Sequence, residues 1–220
     1  MPQYQKEEVR DAILSTAKQE FLRKGFRDAN LREISRKAKV PVGNLYNYFD
    51  DKNQLFEEVL RPQIEAIKKA LQAGKAHGAE SSDAPTHSSA WPLAEDVSHG
   101  VSYVIAHRAE LDLLINQARG SSLEDFLEQI ATDYQRICIE YFEGLARSNP
   151  QRRIQRPSEF FLHSLSHFYI KAVAEMLDHE LSDSELREQV EELLNFSWNG
   201  LAALLEPPKS KDVPAKGGKS

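Results

Sequence analysis

The sequence predicts an all-α protein: an N-terminal three-helix unit with a helix-turn-helix, followed by a larger helical domain. Apolar residues recur every three or four positions along most of the 220-residue chain, which places them on one face of an α-helix. Pairs of a small polar residue and a Glu or Gln three positions later mark repeated helix starts. No segment alternates apolar and polar residues convincingly enough to predict a strand. We therefore expect about nine helices.

The N-terminal unit is predicted over residues 1–56. Its first helix has an apolar face that ends near Gly25 and consists of Val9, Ile13, Leu14, Ala17 and Phe21. Asn30 with Glu33 forms a capping-box pattern at the second helix, and Pro41 suits the first turn of the third. The two short helices lie a few residues apart, which is typical of a helix-turn-helix. Their predicted core consists of Leu31, Ile34, Ala38, Val40 and Leu45, covered by Phe21 and Phe49.

The larger domain is predicted over residues 57–206. Asp51 with Gln54 has the features of a helix start, and the fourth helix contains Pro62, which predicts a bend and a hinge there. A mobile loop is expected at 74–92, where the apolar period is lost. Five further helices are expected: at 93–107, at 111–117, a long helix capped by Ser121 with Glu124, and two long helices at about 157–181 and 183–205. A disordered tail is expected at 207–220.

Charge is distributed unevenly along the chain. The net charge is −6, yet residues 1–60 hold 11 Lys and Arg against 10 Asp and Glu, and residues 18–39 hold 8 against 3. A basic patch on an acidic protein is typical of a nucleic-acid-binding regulator, although an ordinary solvated helix face has the same composition. No apolar run is long enough to cross a membrane, and the lone Cys138 fits a packed thiol in a reducing cytoplasm. We expect a cytoplasmic protein with no membrane partner.

Polar and aromatic side chains dominate the third helix. Gly43 either relieves crowding at the turn or lets the helix approach a DNA phosphate closely. Asn44 or Asn47 would reach base edges, where adenine is the natural partner of an amide. Hydroxyl and amide groups of Tyr46, Asn47 and Tyr48 would donate to phosphates, with one tyrosine packed internally as the alternative. Lys52 is placed for a phosphate contact at the next helix start. Double-stranded DNA is therefore the expected partner.

Residues 9–56 resemble the DNA-binding domain of the tetracycline-repressor (TetR) family of transcriptional regulators. The resemblance is carried at fixed spacing by Ile13, Leu14, Phe21, Gly25, Phe26, Leu31, Ile34, Ser35, Ala38, Val40, Gly43, Leu45, Tyr46, Tyr48, Phe49, Lys52 and Leu55. It implies a homodimer in which the last two long helices pair as a four-helix bundle, and a ligand cavity in the larger domain. The DNA contacts that it implies are Arg32, Val42, Gly43, Asn44, Tyr46, Asn47, Tyr48 and Lys52. Pro41 departs from the small hydroxylated residue that is common in the family.

The larger domain has no diagnostic motif. Its last two helices are apolar over wide arcs, which favours packing on both a core and a partner subunit. Candidate residues for a cavity that holds a largely apolar ligand are Tyr103, Phe126, Tyr134, His163, His167 and Phe168. The interpretation is a ligand-responsive repressor, released from a palindromic operator by a small effector that displaces the fourth helix.

Two alternatives remain at the level of the sequence. One is a DNA-binding architectural protein without small-molecule input. The other is a helical metalloenzyme that uses His163 and His167, spaced four residues apart with Glu159 one turn earlier. The chain lacks an H-E-x-x-H pattern, a G-x-S-x-G motif and a glycine-rich phosphate loop. The prediction is therefore of a non-enzyme, with no catalytic residues, no metal and no cofactor.

Overall fold

The computed structural model describes residues 3–80, 97–148, 150, 156–179 and 181–205. Every regular element in these ranges is an α-helix, which confirms the predicted fold class for the described part of the chain. In order, the helices are α1 (Gln3–Asp28), α2 (Leu31–Lys37), α3 (Val42–Leu45), α4 (Lys52–Glu80), α5 (Val97–Ala106), α6 (Arg108–Asn116), α7 (Phe126–Ser148), α8 (Glu159–Asp178) and α9 (Asp183–Leu205). None of these helices is long and apolar enough to cross a membrane.

Polar side chains cap α2, α4 and α9 where the sequence predicted helix starts. The Asn30 side chain accepts a hydrogen bond from the Arg32 amide at 2.8 Å, although Glu33 bonds Arg36 rather than completing a capping box. At α4, Asp51 accepts from the Gln54 amide at 2.8 Å, and Gln54 accepts from the Asp50 amide at 2.5 Å. At α9, the Ser182 amide donates to Glu185 at 2.7 Å, while the Glu185 amide donates to the Ser182 hydroxyl.

Three predicted boundaries are wrong. Residues 74–80, expected in a mobile loop, continue α4 to Glu80, and residues 81–92 lie outside the described ranges, as does the predicted tail at 207–220. Ser121 and Glu124 form a turn ahead of α7 instead of its cap, and the helix begins at Phe126. The third helix ends at Leu45, so residues 46–48 form a turn rather than more α-helix. Pro62 lies inside α4 as expected.

Aromatic packing holds the N-terminal unit together. The ring of Phe56 on α4 lies 4.9 Å from the rings of both Phe21 and Phe26, measured between centroids. The predicted core residues Ile34, Val40 and Leu45 are buried against this cluster, as are several others: Ile13, Ala17, Phe49 and Leu55. Within this unit α2 packs against α1, and α3 packs against α2.

The same core continues into the larger part of the chain. Leu113 and Leu114 on α6 and Phe126 and Ile130 on α7 belong to the cluster that contains Phe56. The predicted boundary after residue 56 therefore falls within one helix and one continuous core. A second cluster joins α7 to α8 and contains Cys138, whose pKa burial raises to about 12, together with Tyr134, Tyr141, Phe142, Leu145 and Leu162. Cys138 is thus a packed, unreactive thiol.

Candidate nucleic-acid interface

The turn between α2 and α3 is held by backbone and hydroxyl bonds. The Val40 amide donates to the Ser35 carbonyl at 3.0 Å, and the Ser35 hydroxyl donates back to the Val40 carbonyl. Lys39 occupies the left-handed region with φ 55°, which lets the chain reverse within a few residues. The result is a tight connection that fixes the direction of α3 relative to α2.

The outer surface of α3 and of the turn after it faces solvent. Leu45 is fully buried, whereas Val42 is 36% and Tyr46 50% exposed. Gly43, two residues before Leu45 on α3, and Asn47, in the turn that follows, are both exposed on this surface. A Cβ atom added to Gly43 would meet no other atom within 4 Å, so this glycine is not needed to relieve crowding. Tyr48 is half-buried against the core, so it is the tyrosine that packs internally.

Two asparagines on this surface are hydrogen-bonded to each other. The Asn47 amide nitrogen donates to the Asn44 amide oxygen at 2.8 Å, and the bond is exposed to solvent. We call these two side chains the amide pair. Because each amide carries two donors and two acceptor lone pairs, the pair keeps unused groups of both kinds on the outward surface.

Most of the basic residues of the predicted patch have acidic partners within the protein. Glu20 on α1 is fully buried and pairs with Arg23, Lys24 and Lys37, at 2.8 to 3.0 Å. Arg36 pairs with Glu33, and Lys18 pairs with Glu110. Within the described ranges, Arg27, Arg32 and Lys39 are the cations of residues 18–39 for which the structure gives no carboxylate partner. The charge count therefore overstated how much of the patch is free.

Glu20 acts as a fixed anchor between α1 and α2. Burial alone would raise the pKa of its carboxyl, but hydrogen bonds from Lys24, Lys37 and Arg23 outweigh this effect and lower the pKa to about 2. This role of Glu20 was not predicted from the sequence. Its spacing of three and four residues from Arg23 and Lys24 was visible, whereas its burial and its link to Lys37 were not.

Replacing Glu20 with glutamine should lower the free energy of unfolding by about 2 kcal/mol at pH 7, less than a fully buried broken pair costs because the three cations remain partly solvated. The carboxyl has a depressed pKa when folded, so its stabilisation is present above about pH 4.5 and is lost as pH falls toward 2. Urea titrations at pH 7, 4 and 2.5 measure this. The loss of stability in Glu20→Gln, relative to wild type, should become smaller as the pH falls. Glu33→Gln, at an exposed pair, should have little effect. An undiminished deficit at pH 2.5 would contradict the assignment.

Lys52 lies at the start of α4, where the sequence predicted a phosphate contact. Its ammonium donates to the carbonyl oxygen of Arg27 at 3.1 Å and lies 4.5 Å from the ring centroid of Phe26. Burial lowers the pKa of Lys52. Lys52 therefore connects the start of α4 to the end of α1, and this structural role was not visible in the sequence. Arg32, by contrast, is exposed at the start of α2.

A polar joint connects the N-terminal unit to α6 and to the turn before α7. At Gly25, φ is 68° and the regular path of α1 is broken, and the next amide, of Phe26, donates to the Gln117 carbonyl at 3.1 Å. The Ser122 amide donates to the Asn53 side chain at 2.8 Å, and the Ser122 hydroxyl donates to Glu57 at 2.5 Å. A side chain at Gly25 would be strained by its positive φ and would approach Gln117 at 3.4 Å.

The residues predicted to line a ligand pocket do not form one cluster. Phe126 and Tyr134 are buried in the two separate cores, and the Tyr103 hydroxyl donates to the Pro62 carbonyl at 3.4 Å. Phe168 is 48% exposed. Two cavities in the described part have other linings. One, of about 720 Å³, lies between α5 and α9, and the other, of about 270 Å³, lies where the chain enters α8.

The two histidines on α8 contact each other and α7. Their ring centroids are 4.3 Å apart, with His163 Nδ1 3.2 Å from Gln135 Oε1 and His167 Nε2 3.5 Å from Glu128 Oε1. Among the described residues, no group of three or more His, Cys, Asp or Glu side chains is arranged to hold a metal ion. The geometry fits a polar seam between two helices better than a metal site.

Comparisons with known proteins identify the N-terminal unit. Residues 13–59 match the family model described as bacterial regulatory proteins, tetR family. Over 69 residues the chain is 40% identical to the HTH-type transcriptional repressor BepR of Brucella suis biovar 1 (strain 1330). This match covers 31% of this chain and 33% of BepR. Over 120 residues it is 28% identical to YxbF of Bacillus subtilis (strain 168), an uncharacterised HTH-type transcriptional regulator. This match covers 53% of this chain and 28% of YxbF. The chain thus spans about a third of the length of these relatives.

The whole fold has a counterpart among solved structures. The crystal structure of NalD, the secondary repressor of the MexAB-OprM multidrug efflux pump in Pseudomonas aeruginosa, superposes with a TM-score of 0.61 at 20% identity. The match covers 90% of this chain and 98% of NalD. Similarity at this level of identity shows a shared fold, and the family assignment comes from the N-terminal match. Residues 13–59 therefore belong to the tetR family of bacterial regulatory proteins, and the chain that carries them has an all-helical fold shared with NalD.

Proposed function

We propose that this protein is a DNA-binding transcriptional regulator, a repressor that binds a palindromic operator as a homodimer. The observation that carries the proposal is the outward surface of α3 and its following turn. Gly43 lies in open space there, beside exposed Val42, Tyr46 and Asn47, and none of these residues is needed for the core. A surface of small, amide and hydroxyl groups suits entry into a major groove, where phosphates position a helix and base edges specify the sequence.

Repression and effector release are part of the same proposal. BepR and NalD are both named as repressors, which supports repression here. We propose that a small, largely apolar effector binds the larger domain and lowers operator affinity by shifting α4. Such an effector must bind the two states of the dimer with different affinity. α4 is well placed for this coupling because it begins at Lys52 in the N-terminal unit and runs to Glu80 in the larger domain.

The test is selection of bound duplexes from random DNA by the purified protein, followed by a screen of small apolar molecules for release. An enriched sequence with two-fold symmetry is expected. If no selected duplex binds more tightly than two control duplexes, one of adenine–thymine pairs alone and one of mixed sequence, the regulator proposal fails. If a sequence is enriched but no small molecule alters its binding, DNA binding stands and the effector proposal fails.

The homodimer is proposed to form through α8 and α9. Four aromatic side chains on these helices face solvent in the single chain: Phe160 at 78%, Phe161 at 41%, Phe168 at 48% and Phe196 at 65% exposure. Phe168 and Phe196 lie 6.4 Å apart between ring centroids, so the two helices share one apolar surface. An exposed surface of this kind favours a partner, and a two-fold axis through it would present two copies of α3 to one operator.

Phe196→Glu should convert the dimer to a monomer, because a carboxylate would be buried against apolar groups of the partner. Sedimentation equilibrium measures the change in mass, and anisotropy with the selected operator should show at least about a tenfold loss of affinity. Gln72→Glu makes the same charge change at an exposed polar site on α4, outside the proposed interface, and should leave both unaltered. A dimeric Phe196→Glu protein would exclude this surface as the interface.

Lys52→Ala should lower affinity for all DNA sequences to a similar extent and reduce the slope of log K against log salt concentration by about 1. Lys52 has donors left to reach a phosphate while bound to the Arg27 carbonyl, because an ammonium carries three. Binding isotherms between 50 and 200 mM salt measure the slope. Lys69→Ala, on the exposed surface of the same helix, serves as the control. An unchanged slope in Lys52→Ala would leave the lysine with its structural role alone.

A further inference from the structure

We infer that the amide pair, Asn47 oriented by Asn44, reads an adenine in each operator half-site, an inference that rests on the proposed DNA binding. Asn47 is exposed in the turn after α3, beside the exposed Tyr46, whereas Leu45 is buried. The absence of a side chain at Gly43, one turn earlier, leaves room for a base pair to approach that amide. Asn47 is therefore the side chain on this surface best placed to meet the floor of a groove.

The hydrogen bond to Asn44 determines which atoms Asn47 can offer. One N–H of Asn47 is occupied by the Asn44 oxygen at 2.8 Å. We assign this bond to the N–H anti to the Asn47 oxygen, so the second N–H and the oxygen remain side by side as one donor and one acceptor. The bond also restricts rotation of the amide, so that its plane is set before DNA arrives and less side-chain freedom is lost on binding.

A donor beside an acceptor matches one base edge in the major groove. Adenine presents N7 as an acceptor next to the N6 amino group as a donor, so both bonds form at once. Guanine presents two acceptors, N7 and O6, and the Asn47 oxygen would face O6 without a proton between them. Thymine and cytosine each present a single polar group there. The preorganised amide therefore favours adenine over guanine at the same position.

Asn44 is a positioning residue in this scheme. Its side chain is half-buried and its oxygen holds the Asn47 nitrogen, so its effect on the base is indirect. Removing Asn44 leaves Asn47 able to bind adenine but free to rotate. The expected loss is smaller than the loss from removing Asn47, and it should fall on adenine discrimination rather than on binding to unrelated DNA.

The experiment uses the full-length protein and the duplex enriched from random DNA. Each adenine of one half-site is replaced in turn by 7-deazaadenine, which removes the N7 acceptor while keeping the base pair and the thymine methyl. Fluorescence anisotropy measures the Kd of wild type, Asn47→Ala and Asn44→Ala on the parent and on each modified duplex. Circular dichroism confirms that the variants are folded, which is expected because both amides are at the surface.

At one adenine, wild type should lose about tenfold in affinity on modification. Asn47→Ala should be about tenfold weaker on the parent duplex and should lose nothing further at that adenine. Asn44→Ala should lose about threefold on the parent, with a reduced effect of the modification. The inference is overturned if wild type binds every modified duplex as tightly as the parent, or if the modification and Asn47→Ala weaken binding additively. Both results are distinct from failure of the proposed function, in which no duplex is enriched at all.

Discussion

Phe56→Ala should lower the free energy of unfolding by about 4 kcal/mol, within the range for truncating a fully buried phenylalanine. The ring has no solvent exposure and contacts both Phe21 and Phe26 at 4.9 Å between centroids. Its removal would leave a cavity at the point where α1 and α4 meet α6 and α7. Urea denaturation followed by far-ultraviolet circular dichroism measures the loss directly.

Tyr46→Ala is the matched control for this change, because it also removes an aromatic ring from the N-terminal unit. Tyr46 is 50% exposed and does not belong to the core around Phe56. Its replacement should change stability by less than about 0.5 kcal/mol while weakening DNA binding. If Tyr46→Ala destabilises the protein as much as Phe56→Ala, then Tyr46 contributes to the core and does not belong to the DNA-facing surface.

Arg108→Ala should destabilise the protein by about 3 kcal/mol, because hydrogen bonds from a charged group to carbonyls are among the stronger ones in proteins. Arg108 begins α6, and its guanidinium donates to the carbonyls of His179 and Leu181 and, at 3.5 Å, of Met176. These carbonyls lie at the end of α8 and in the connection to α9, where helix geometry leaves few backbone donors for them. The His179 carbonyl also accepts from the Leu181 amide at 2.8 Å. Removing the arginine would take away the side-chain donor that the three carbonyls share.

Arg108→Lys should recover only part of the loss, since one ammonium cannot span carbonyls that a planar guanidinium bridges. Arg136→Ala provides the surface control. It removes an arginine from an exposed pair with Asp133 on α7 and should cost less than about 0.5 kcal/mol. Thermal and urea denaturation of the three variants measures how much stability each one loses. Equal losses for Arg108→Ala and Arg136→Ala would contradict the role assigned to Arg108.

Local signals made the N-terminal unit predictable. Asn30 and Asp51 cap α2 and α4 through residues two or three positions away, so the hydrogen-bond partners lie within one turn of sequence. Gly25 ends the regular path of α1 because of its own backbone conformation. The buried faces of α2 and α3 followed from helical spacing alone. The helix positions within residues 13–59 therefore follow largely from nearby residues.

Contacts between distant residues were beyond this kind of inference. Glu20 meets Lys37 across 17 residues, and Lys52 meets the Arg27 carbonyl across 25. Arg108 meets Leu181 across 73. Counting charges treated Lys37 and Lys52 as free cations, whereas their partners are set by how the helices pack. The predicted pocket residues depended on a resemblance confined to the N-terminus, which carries no positional information about the larger domain.

The boundary between the two functional parts is therefore not a boundary in the core. Phe56 on α4, Leu113 on α6 and Phe126 on α7 belong to a single apolar cluster, and Gly25–Phe26 is hydrogen-bonded to Gln117 beside it. Opening the α4–α7 contact would expose apolar surface on both sides, so neither part can lose its structure without weakening the other. The consequence is cooperativity. Heat or denaturant should unfold the protein in one transition. A fragment cut after residue 56 would lack part of the core that keeps α1 folded.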